Sequence, residues 1–81
     1  MTLVPVAPLR ERYGVLLARG ESPSMIAERA GFMERGRPDT TRLQRRLGVR
    51  ASSGYVTRSV EYRVAVVLAE ALLMDPHEAG I

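Results

Sequence analysis

Leu9, Tyr13, Leu16 and Leu17 repeat at i, i+4, i+7 and i+8, the one-sided spacing of an amphipathic helix. Pro8 suits a first helical turn and Arg19-Gly20 closes the run, so a helix is expected over residues 8–18. A second opens at Ser22-Pro23-Ser24, with Ser22 as N-cap and Pro23 at the first helical position. Ile26, Ala27 and Ala30 form its inward side, and Gly31 ends it. The third helix is short and marked at both ends, by Asp39 as N-cap and Gly48 as the left-handed closing residue. Leu43 and Leu47, with Thr40 on the same side, give it a single apolar stripe. The last run is the longest, from Ser59 as N-cap to Met74. Val60, Val64, Val67, Leu68, Ala71 and Leu72 make one broad face, while Ala65, Val66, Ala69 and Leu73 make much of the other side apolar. Such a helix is either the central strut of the monomer or meets a second subunit, giving a homodimer. Asp75-Pro76 stops it and can cap a final turn.

Three stretches lie outside this pattern. Residues 1–8 read as an N-terminal arm or a packing strand; they carry no basic residue before Arg10, so the arm is not expected to enter a minor groove. Residues 32–38 contain Gly36 and Pro38, which prevent the third helix from extending backwards. They form a lengthened loop anchored by Phe32, or Phe32 to Arg35 add one helical turn. Residues 49–58 are a loop by their Ser and Gly content. The expected architecture is all-α: a compact bundle of four to five short helices over residues 9–81, containing a helix-turn-helix with a lengthened turn.

The outer side of the third helix carries the candidate chemistry. At 100° per residue, Thr41 and Arg45 point away from the leucine stripe, with Arg42 and Gln44 on the two shoulders. Arg pairs with guanine through two hydrogen bonds, Gln pairs with adenine likewise, and a Thr methyl can touch a thymine methyl. Charge strengthens the point. All twelve basic residues are arginine, a bias that a GC-rich genome would produce unaided, but their distribution is uneven. Nine arginines against Glu34, Asp39 and Glu61 fall between Arg29 and Arg63, giving +6 there and −3 elsewhere. Concentrated positive charge around a short capped helix is the footprint that phosphate neutralisation needs. Arg35, Arg37, Arg46, Arg50, Ser52 and Arg58, with Ser22 and Ser24 at the second helix, are the candidates for backbone contact. The 49–58 loop reads equally well as a plain connection.

The segment Ile26-Ala27-Glu28-Arg29-Ala30-Gly31-Phe32, followed by the capped basic helix, resembles the helix-turn-helix of the lambda repressor-like (Cro and Xre) family. Residues 61–76 resemble the family's closing helices, and the whole is similar to small helix-turn-helix proteins of phages and prophages of actinobacteria. The seven residues between Gly31 and Asp39 depart from the family's three- or four-residue turn. What the resemblance implies is a cytoplasmic transcriptional regulator, repressor- or Cro-like, that binds double-stranded DNA and blocks promoters by occupancy. An excisionase-like architectural protein, an antitoxin, or a helical module binding a host factor are the alternatives.

Other chemistry finds little support. There is no cysteine, and His77 is the single histidine, so no zinc ligand set is available. Lysine is absent, which removes the phosphate-loop signature. No nucleophile–His pairing and no isolated carboxylate pair stands out. A non-enzyme without cofactor, metal or small-molecule ligand is expected. Two prolines interrupt the apolar N-terminus, which lacks a basic leader, so neither a signal peptide nor membrane association is expected.

Overall fold

Four helices and two small antiparallel sheets make up residues 2–81, the residues that the computed structural model describes. In chain order they are β1 (Leu3–Pro5), α1 (Ala7–Ala18), α2 (Pro23–Arg29), β2 (Met33–Glu34), β3 (Arg37–Pro38), α3 (Thr40–Arg46), β4 (Ser59–Glu61) and α4 (Tyr62–Ala71). The fold is mixed α/β, and the all-α expectation is overturned. The cause is strand length. In β1 and β4 only Val4 and Val60 face fully inward, and one apolar residue per strand carries no period. Val60 also continues the i, i+4 spacing of the helix that follows, so β4 reads as that helix's first turn. Ser59 is therefore a strand residue and not an N-cap, and α4 ends at Ala71 rather than Met74.

β1 pairs with β4, Val4 opposite Val60. Beyond the ladder, the Val6 N–H donates to the Arg58 carbonyl (2.9 Å) and the Tyr62 N–H to the Thr2 carbonyl (3.0 Å). The N-terminal segment is thus a strand fastened to the body, with Val4 and Val6 buried. Leu9, Leu16, Ile26, Leu43, Leu47, Leu68 and Leu72 complete the set of large, wholly buried side chains. Each contributes roughly 1.5–3 kcal/mol by leaving water.

Between α2 and α3 the chain makes a hairpin rather than a loop or an extra helical turn. Met33 pairs with Pro38 and Glu34 with Arg37. Arg35 (φ 52°) and Gly36 (φ 76°) form the two-residue connection, both left-handed as a primed turn demands. The Asp39 N–H closes the base on the Phe32 carbonyl at 2.7 Å. Arg-Gly is a less familiar turn signal than Asn-Gly, which is why the hairpin is hidden in the sequence. A second tight turn lies in the 49–58 loop, where Ser52 and Tyr55 exchange both backbone hydrogen bonds (2.8 and 2.9 Å) across left-handed Ser53 and Gly54.

All four helices end alike. Each has a left-handed residue just past its C-cap, whose N–H bonds back three residues while the next N–H bonds back five. Gly20, Gly31 and Gly48 hold that position after α1, α2 and α3; Leu73 holds it after α4. The last carbonyls of α4 receive further help. Arg12 donates from Nε to the Leu72 carbonyl (3.1 Å) and from Nη2 to that of Leu73 (3.3 Å), and Arg29 Nε donates to that of Ala71 (2.9 Å). Two cations at the negative end of the helix satisfy carbonyls that the helix itself leaves open. Asp75 begins the final turn, its Oδ1 accepting from the His77 N–H at 2.9 Å.

Candidate nucleic-acid interface

α3 has seven residues, fewer than an isolated helix needs to persist, so packing must hold it. Leu43 and Leu47 are both fully buried, while Arg42, Arg45 and Arg46 are exposed. Asp39 Oδ1 accepts from the Arg42 N–H at 3.0 Å, and Gly48 closes the far end. The arginine-bearing side is turned to solvent and the leucine side to the core.

Above this helix runs an open groove of about 620 Å³, lined by Thr41, Arg42, Arg45 and Arg46 of α3. Glu34 and Asp39 border it at the hairpin, and Ser52 and Thr57 line it from the 49–58 loop. Three guanidinium groups face two carboxylates there, one of which is already engaged in capping the helix. The groove is open to solvent, and its lining is mainly cationic and hydroxylic rather than apolar, unlike an ordinary small-molecule pocket.

The expected base-reading residues divide. Thr41, Arg42 and Arg45 share the groove. Gln44 is turned inward: its Nε2 donates to the Tyr13 hydroxyl at 3.2 Å, joining α3 to α1. The physical reason is position. Gln44 follows Leu43 and lies on the shoulder nearer the body, where an amide finds a buried phenol. The Arg42 guanidinium rests 4.7 Å from the centre of the Phe32 ring, a cation–π contact that holds it at the α2 end of the groove.

Among the expected backbone contacts, Arg46 and Ser52 line the groove. Arg35 and Arg37 stand on the hairpin, exposed. Arg50 is exposed just past α3, and Arg58 lies beside Gly54, Tyr55 and Val56 in a separate shallow concavity. Ser22 is occupied, its Oγ accepting from the Met25 N–H at 3.2 Å as the cap of α2, while Ser24 is exposed. Neither serine lines the groove. Glu34, Thr57 and Phe32 belong to the site without having been expected there, because only the two hairpin turns bring them to α3. Tyr55, 65% exposed, stands with Arg58 in the separate concavity and not in the groove; an exposed aromatic in a basic loop was the available signal for it.

No group of His, Asp or Glu side chains among the described residues could hold a metal ion. No helix there is long and apolar enough to cross a membrane. No family model, curated protein or solved structure matches the chain.

Proposed function

We propose that the chain is a sequence-specific double-stranded DNA-binding regulator of transcription that acts by occupying its operator. The observation that carries this reading is α3 itself: two leucines wholly buried, and Arg42, Arg45 and Arg46 outward in an open groove. Thr41, Arg42 and Arg45 meet base edges in the major groove. Arg35, Arg37, Arg46, Arg50, Ser52 and Arg58 hold the phosphates on either side. The resemblance of residues 26–32 and 61–76 to Cro- and Xre-type proteins supports the same reading.

The subunit arrangement follows from the same reading. Tyr62 and Val67 on α4, and Leu73 just past it, remain exposed, while Ala65, Leu68, Ala69 and Ala71 face the core. A homodimer joined through α4 requires a palindromic operator with half-sites about one helical turn apart. A monomer requires an asymmetric site. Sedimentation of the purified chain at micromolar concentration distinguishes the two.

The test is a titration of duplexes selected from a random pool. With about six phosphate contacts, affinity falls roughly three orders of magnitude between 50 and 200 mM salt. Arg45→Ala loses about 1–3 kcal/mol on the selected duplex and relaxes preference at one base pair. Arg58→Ala weakens selected and random duplexes about equally. Binding that ignores salt, or two variants that behave alike on both duplexes, contradicts the assignment of α3.

A further inference from the structure

The hairpin between α2 and α3 is built onto the N-cap of α3, and its two-residue turn carries an exposed arginine. Asp39 is at once the N-cap of α3 and the residue that closes the hairpin on Phe32. From that bond two residue pairs lead outward, Met33 with Pro38 and then Glu34 with Arg37. At about 3.4 Å per residue they project about 7 Å before the turn begins. The major groove is about 12 Å wide, so a helix lying along its centre is about 6 Å from the phosphate ridge on either side. A hairpin rising from the N-cap of a helix so placed is therefore long enough for its turn and the Arg35 side chain to reach across the ridge to the neighbouring minor groove.

Two further features fit that position. Met33, Glu34, Arg35, Gly36 and Arg37 are all exposed, and the single salt bridge among the described residues joins Arg29 to Glu21, so neither tip arginine is held by an acid. Arg35 also sits at φ 52°, where Asn or Gly is the ordinary choice, so the turn keeps an arginine against the local backbone preference. The N-terminal segment is not available for the role. It is paired with β4 and its described residues carry no basic side chain before Arg10.

We infer that Arg35 does not stop at the phosphates, as Arg37 does, but reads the minor groove beside the site occupied by α3, favouring A·T pairs, where the groove is narrow and its negative potential deepest. This rests on the DNA-binding reading above and adds a second point of specificity to it. Recognition is then bipartite: α3 reads the major groove, and the hairpin tip reads base composition about half a turn away.

The experiment uses the full chain and three versions of one selected duplex, differing only at the flank beyond the α3 contacts. The flank carries A·T, G·C or inosine·C pairs. Inosine·C presents the major-groove edge of G·C but lacks the amino group in the minor groove, as A·T does. The wild-type chain is expected to bind the G·C flank about tenfold more weakly than A·T, with inosine·C restoring affinity. Arg35→Asn, which suits the left-handed turn and so keeps the hairpin folded, is expected to bind all three alike. Equal wild-type affinity for the three flanks overturns the inference, as does inosine·C behaving like G·C. A preference that survives in Arg35→Asn overturns it too. Failure to bind any duplex at 50 mM salt refutes the DNA-binding reading itself, a result distinct from the other three.

Discussion

Gly48 closes α3 where the helix end meets the irregular segment leading into β4, and substituting alanine there separates two effects. The residue has φ +75°, a conformation that costs an L-residue roughly 1–2 kcal/mol. A Cβ on Gly48 would also collide with the Thr57 carbonyl oxygen and lie 3.1 Å from Arg10 Nη1. The arginine tip can swing aside. The carbonyl is backbone, and reaching even 3.0 Å means moving either the end of α3 or the segment that feeds β4. Gly36 provides the control: φ +76° but open space around its Cβ, so Gly36→Ala carries the conformational cost alone. Gly48→Ala should therefore cost about 3–4 kcal/mol, about 2 kcal/mol more than Gly36→Ala. A domain of this size has about 4–12 kcal/mol of total stability, and each kcal/mol shifts the midpoint about 4–8 °C. Thermal melts followed by circular dichroism should show Gly48→Ala lower by 10 °C or more, roughly, with Gly36→Ala between it and wild type. Equal midpoints for the two variants would refute the close approach of α3 to Thr57.

Two more outcomes follow from burial and backbone conformation. Leu43→Ala removes a wholly buried side chain and should cost about 2–5 kcal/mol, read as a lower urea midpoint at unchanged slope; a loss under about 1 kcal/mol would mean that α3 is not pinned there. Leu73→Gly relieves a left-handed leucine that is 57% exposed and should raise the melting midpoint, by about 0.5–1 kcal/mol of added stability. A lower midpoint would show that the leucine's contacts outweigh its strain.

The helices were legible because their signals are local. Ser22 and Asp39 cap α2 and α3 through their own side chains, and Leu9, Tyr13 and Leu16 face the core at the spacing that announces them. The strands were not, because their reason for existing is elsewhere in the chain. Leu3-Val4-Pro5 is a strand only because residues 59–61 pass beside it, and no window of sequence contains both. The outer face of α3 shows the same division. Arg42, Arg45 and Arg46 are exposed as helical periodicity requires, but Gln44 is claimed by Tyr13, 31 residues earlier. Charge was the least legible property. Arg29, one of the nine central arginines, turns to the end of α4 and to Glu21, and Arg12 does similar work from α1. Their task is set by where α4 stops, which composition cannot report.

That sorting of arginines bears on how the proposed interface acts as a unit. A basic residue contributes to register on a duplex only if its backbone is fixed relative to the reading helix, since a mobile cation adds affinity without direction. Arg35 and Arg37 satisfy this through the hairpin, whose base is the N-cap of α3. Arg50 satisfies it from the other side: the Val49 and Arg50 N–H groups both donate to the Gln44 carbonyl (2.9 and 3.2 Å), tying the start of the loop to the last turn of α3. Gln44 in turn is bonded to Tyr13, itself buried in the core. The hairpin, the start of the loop and the helix between them therefore share one set of anchors. A phosphate held on either side constrains where Arg42 and Arg45 meet the bases, and the seven residues of α3 need no stability of their own to present them.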